Sequence, residues 1–179
     1  MLIAVLPVCP PSQGAVPEYD LKAALLYKLT KFIAWPDSAF ASSGAVLHLC
    51  LLGRDDFGPS IQGLEGQKVE RQTIQIDRVP DLGHMRERAL GDCRIVFISS
   101  SERERLPKIF STLAGTPVLT VSDMDGFAAA GGMIGFVTAD SKIGFEINQR
   151  ASRNAGIEIG AQLLQFATLV SAQRTQVQP

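Results

Sequence analysis

The sequence predicts a single α/β domain: a mixed, mostly parallel β-sheet flanked by helices, with a C-terminal β-hairpin and a long closing helix. Three observations carry this. From residue 46 to 121, short β-branched apolar runs alternate with helical or polar segments, the pattern of crossover units with parallel neighbouring strands. Nearer the C-terminal end, two runs at 132–138 and 142–148 meet at "ADSK" and read as an antiparallel hairpin, which makes the sheet mixed. Finally, 179 residues with 46% apolar and 20% charged side chains are enough for one sizeable core.

The first element in order is a leader. "MLIAVLPVCPPSQGAVPEYD" opens with an apolar run, meets Pro10 and Pro11 after Cys9, and continues in small residues, like the second half of a secretory signal peptide without its basic start. Residues 1–17 are therefore expected to be a signal-peptide remnant, 18–172 the domain, and 173–179 a flexible tail. A short buried strand is the plain alternative. The run falls short of the roughly 20 residues that span a bilayer, and prolines around Cys9 fit lipid attachment poorly.

Glu18 to Trp35 should form the first helix, with Leu21, Leu25, Leu29 and Phe32 on one face. Trp35, the only tryptophan, precedes Pro36, which disfavours helical backbone before it and so marks the helix end. "VLHLCLLG" is a strand, "RDDFGPSIQGL" a short interrupted helix, and "QKVERQTIQIDRV" one or two strands. An irregular stretch holding His84 leads to the buried strand "RIVFISS". "SERERLPKIFSTLAG" starts on capping serines and stops at Gly115 as a helix, and "TPVLTVSD" is again a strand. After the hairpin, Ile159, Leu163, Phe166 and Val170 form the stripe of the closing helix.

Composition and motifs exclude several functions. A net charge of −1 without a basic block leaves no electrostatic footprint for nucleic acid. There is no nucleophile elbow, no P-loop and no dinucleotide fingerprint; Gly131 and Gly132 precede a strand, where paired glycines mark a bend or bulge. His48 and His84 are the only histidines, and His48 alternates with apolar strand neighbours, so a hydrogen-bonded histidine is favoured over a metal ligand. No catalytic residues, metal or cofactor are expected. Glu146, flanked by Phe145 and Ile147, points away from both by strand alternation, towards solvent or, if that face lines a cleft, towards a ligand or partner beside Asn148. A lone carboxylate lacks the partner that acid–base catalysis needs.

With the leader removed, Cys50 and Cys93 remain, both at apolar runs that read as neighbouring strands. Export would permit them to pair, closing a loop worth roughly 4 kcal/mol in the chain-entropy treatment; in a reducing compartment they would be two buried thiols.

The order "KAALLYKLTKFIAWP", "LHLCLLGRDDFG", "CRIVFISSSE", "LTVSDMDGFAAAGGMIGF", "KIGFEIN" and "AQLLQFA" resembles the YfiR family of periplasmic regulators, from about Tyr19 to Val170. The resemblance implies a non-enzymatic exported protein that binds the periplasmic domain of an inner-membrane diguanylate cyclase (YfiN-like), holds it inactive, lowers cyclic di-GMP and restrains biofilm formation. It also implies an outer-membrane lipoprotein (YfiB-like) that captures the regulator, a homodimer, and a Cys50–Cys93 disulfide. Members with a second disulfide differ from this chain, which has no second pair.

Trp35 and Pro36 match the family motif, and a regulator acting by contact needs an anchor, a role for which Trp is enriched. Tyr27, Lys31 and Trp35, four apart, are expected to share a helix face and, with Pro36, to form the partner surface; otherwise Trp35 closes the core. Two other classes stay open. A periplasmic small-molecule-binding module would use an apolar pocket with Glu146 or Asn148 as polar fixtures, and a hydrolase with a dispersed site would lose turnover on Glu146→Gln.

Overall fold

The computed structural model describes residues 17–40, 44–80, 87–140 and 142–171. The leader with Cys9, His84 and the 173–179 tail lie outside them. Helix α1 (Glu18–Leu29) leads through β1 (Ile33–Ala34) and a 3-10 turn (Asp37–Phe40) to β2 (Val46–Leu52). A second 3-10 turn (Ser60–Leu64) precedes β3 (Lys68–Val69) and β4 (Gln72–Val79). Then come α2 (Glu87–Asp92), β5 (Ile95–Ile98), a 3-10 turn (Ser100–Arg105) running into α3 (Leu106–Leu113), and β6 (Leu119–Ser122). The hairpin β7 (Ile134–Ala139) and β8 (Lys142–Ile147) is followed by α4 (Gln149–Asn154), β9 (Glu158–Ile159), α5 (Ala161–Leu164) and β10 (Ala167–Leu169).

Eight strands form one sheet in the order β10-β8-β7-β6-β5-β2-β4-β3. β4, β2, β5, β6 and β7 are parallel, β8 returns antiparallel to β7, and β10 runs alongside β8 in the same direction. Both faces are covered, which explains why the central strands read as continuous apolar runs. Strand alternation sends Leu49 and Leu51 to the layer under α1, together with Leu26, Phe97 and Phe136, and Cys50 and Leu52 to the layer under α3, with Ile98, Ile109 and Phe127. Cys50 is bonded to Cys93 with their Cα atoms 6.0 Å apart, inside the window a disulfide requires. This staples β2 to the entry of its neighbour β5, and both cysteines are buried.

Two helices depart from the sequence expectation. α1 stops at Leu29 rather than Trp35, because Thr30 Oγ1 donates to the Tyr27 carbonyl at 2.6 Å and the amides of Lys31 and Phe32 close tight turns onto Lys28 and Leu29. Its buried face is Lys22, Ala23, Leu26 and Leu29, so Leu21 is exposed and Leu25 only partly covered. The single long closing helix is replaced by α4, β9, α5 and β10. Gly156 at φ +69° ends α4 in the left-handed conformation that glycine adopts freely. Ile159 then pairs with Ile33 across a two-stranded ribbon, and the chain rejoins the main sheet at its edge.

Candidate partner-binding surface

The expected contact residues gather at the amino ends of the parallel strands. Trp35 follows the β1–β9 ribbon and stands on the wall of an open cleft of about 830 Å³, which also takes Lys31, Phe40, Leu47, Arg71 and Glu158 into its lining. Since α1 ends before Lys31, Tyr27, Lys31 and Trp35 do not share a helix face. Another geometry brings them together: the Lys31 ammonium lies 4.9 Å from the centroid of the Tyr27 ring, within cation–π range, and Lys31 and Trp35 line the same cleft. The Tyr27 hydroxyl donates to the Lys68 carbonyl at 3.2 Å, tying the end of α1 to the sheet edge.

Trp35 is half-buried and packs against the α1-side core, edge-on to Phe40 with centroids 6.2 Å apart. Its indole Nε1–H is buried with no hydrogen-bond partner among the described residues, a state that costs about 1–3 kcal/mol. Pro36 is half-buried beside it, accepts from the Ala39 amide at 2.8 Å, and so starts the turn that carries Phe40. Trp35 is thus packed on the core with one side and lines the open cleft with the other.

Glu146 and Asn148 separate. Glu146 sits in β8 between Gly135 of β7 and Thr168 of β10, half-buried on a shallow hollow of about 390 Å³. Asn148 lies past the strand end, buried, with its amide donating to the Ala128 carbonyl at 3.0 Å and its Oδ1 accepting from the Ala151 amide at 3.1 Å. Its Oδ1 is the N-cap of α4, and its amide nitrogen ties that cap to the chain at Ala128. His48 pairs with Asp77 through Nδ1 at 2.7 Å.

At the opposite, carboxyl edge lies a cluster that residue spacing did not single out. Lys22 is only 4% exposed; its ammonium meets Asp123 and Glu18, each at 2.6 Å, and the Tyr19 hydroxyl donates to Asp123 at 3.2 Å. Burial works against the Lys22 ammonium, but hydrogen bonds to Asp123 and Glu18 outweigh it and hold its pKa above the usual lysine value. The Glu18 carboxyl is held low, chiefly by its hydrogen bond with Lys22. Burial first, then the Asp123 carboxylate, pushes the Tyr19 phenol up to about 12. The only sequence hint was the Glu18–Lys22 spacing, because a helical pattern does not reveal which lysine faces inward.

No helix among the described residues is long and apolar enough to cross a membrane. Of solved structures, the ABC domain from Streptococcus pneumonia in complex with L-Trp superposes with a TM-score of 0.54 at 10% identity, over 85% of this chain and 60% of that one. At this identity the likeness is one of fold alone, and this chain spans only 60% of that relative's length. The YfiR/HmsC-like family model matches residues 19–168, a stretch running from the Tyr19 cluster through the Trp35 cleft and the stapled strands to β10. The chain therefore belongs to the YfiR/HmsC-like family.

Proposed function

We propose that this protein is an exported, non-enzymatic regulator that acts as a homodimer in the periplasm. It binds the periplasmic domain of an inner-membrane diguanylate cyclase (YfiN-like) and represses it, lowering cyclic di-GMP and restraining biofilm formation. A YfiB-like outer-membrane lipoprotein relieves the repression by capturing it. The observation that carries this reading is Trp35, half-buried on the wall of an open cleft. An aromatic side chain half-buried on an open cleft, with a rim charged in both signs, suits a protein partner better than a reacting substrate.

Calorimetric titration of the oxidised protein into the periplasmic domain of a diguanylate cyclase from the same genome tests it, with Trp35→Ala alongside. Saturable binding is expected, weakened by about 2 kcal/mol in the variant, the threshold of a binding hot spot. Far-ultraviolet circular dichroism should show the variant still folded. Absence of binding by the folded wild-type protein would overturn the reading.

A further inference from the structure

The two outer edges of the main sheet are finished in opposite ways. β3 is two residues long, carries Lys68, turns through exposed Glu70 and Arg71, and has its Lys68 carbonyl capped by the Tyr27 hydroxyl. Shortness, charge and capping are the devices that stop an edge from pairing with another chain. Among the described residues, β10 has neither charge nor a cap. No charged residue occurs between Glu158 and Arg174, and Phe166 and Leu169 are 78% and 55% exposed. Phe166 also walls an apolar cavity of about 290 Å³ with Leu25, Phe32 and Phe145, so the exposed apolar surface continues from the strand onto α1.

We propose that a second copy of this chain pairs antiparallel with β10 about a two-fold axis, continuing the sheet through the interface. This deepens the proposed function, since it rests on the homodimer in that reading and says where the copies meet. Near a two-fold axis each residue faces its own copy, so a charged strip repels itself whereas a charge-free one does not. Backbone directions set the register. The Val170 amide donates to the Ile147 carbonyl at 3.0 Å, so Thr168 and Val170 face β8, and by strand alternation Ala167 and Leu169 face outward. Placing Thr168 opposite its own copy makes Ala167 and Leu169 of the second copy a hydrogen-bonded pair, twice over, with a non-bonded Thr168 pair between them. That is the alternation of an antiparallel ladder. The same register sets Phe166 against Val170 of the second copy, apolar on apolar.

Sedimentation equilibrium of the full chain, with Thr168→Lys, Thr168→Glu and Leu169→Pro, tests the pairing. Thr168 is exposed, and proline at 169 removes only an outward donor, so all three should keep the wild-type circular dichroism. The wild type should be a dimer, and each variant should self-associate about tenfold or more weakly. Mixing the Lys and Glu variants should restore the dimer, because only a two-fold at Thr168 sets one against the other. A monomeric wild type, a dimer indifferent to all three changes, or no recovery on mixing would each overturn it. Cyclase binding is read in the separate titration, so a monomer that still binds the cyclase domain sinks the edge pairing and leaves the regulator reading standing.

Discussion

Lys22 holds its ammonium between Glu18 and Asp123 at the carboxyl edge of the sheet, and it is buried there. Removing one member of such a pair leaves the other charge uncompensated, so Lys22→Ala is expected to cost about 3 kcal/mol. Asp123→Ala should cost a similar amount, and the double variant less than the sum of the two, as measured by urea unfolding. The neighbouring Tyr19 links this cluster to pH. Its phenol is raised from the ordinary 10 to about 12 in the folded protein, so the fold favours the neutral form. That contribution is complete below pH 10 and is lost as pH rises from 10 through about 12; the raised Lys22 ammonium acts in the same direction. Unfolding midpoints should therefore fall across that interval, and Tyr19→Phe should fall less steeply. A tyrosinate absorbance titration with neither tyrosine above the ordinary value would refute the assignment.

Strands were more legible than helices, for a physical reason. The runs around Leu49, Val96 and Val121 are buried on both faces, so their apolar character is continuous, and the β7–β8 hairpin advertises itself by the turn residues between its two runs. The stripe Ile159, Leu163, Phe166 and Val170 imitated a helix because its spacing is helical. What decides the backbone there is non-local: the Gly160 amide donates to the Phe32 carbonyl at 2.7 Å and Ile159 pairs with Ile33, contacts across more than a hundred residues that no window along the chain contains. Gly132 was legible only in part. Its place before a strand signals a bend or bulge, but a Cβ at this position would come within 2.1 Å of the Phe127 ring, and that ring is buried in the α3-side core. Gly132→Ala should thus overpack the core and destabilise by about 1–3 kcal/mol. Denaturant melts giving an unchanged midpoint would mean that Phe127 moves aside freely.

The whole molecule separates two kinds of site along the strand direction. Open parallel sheets hold small ligands outside the carboxyl ends of their strands, at the place where strand order reverses. Here β2 is followed in the chain by β4 on one side and by β5 on the other, so that place lies beyond Leu52 and Ile98. It is occupied by Arg54 on Asp56 at 2.6 Å and by Ser99 donating to Asp56 at 3.1 Å. The Trp35 cleft lies at the other end, beside the first residues of β2 and β4. A partner-binding regulator and a small-molecule module consequently make opposite demands on two exposed cations. Lys31→Glu, on the cleft rim, should weaken cyclase binding at least tenfold, with the loss largest at low ionic strength because exposed charges are screened by salt. Arg54→Glu, at the carboxyl edge, should leave that binding unchanged. Both side chains are exposed, so neither substitution should alter the thermal midpoint beyond the small range usual for surface changes. The reverse pattern in the titrations, with binding lost on Arg54→Glu and kept on Lys31→Glu, would move the partner surface to the carboxyl edge, where the Tyr19, Lys22 and Asp123 cluster would become its floor.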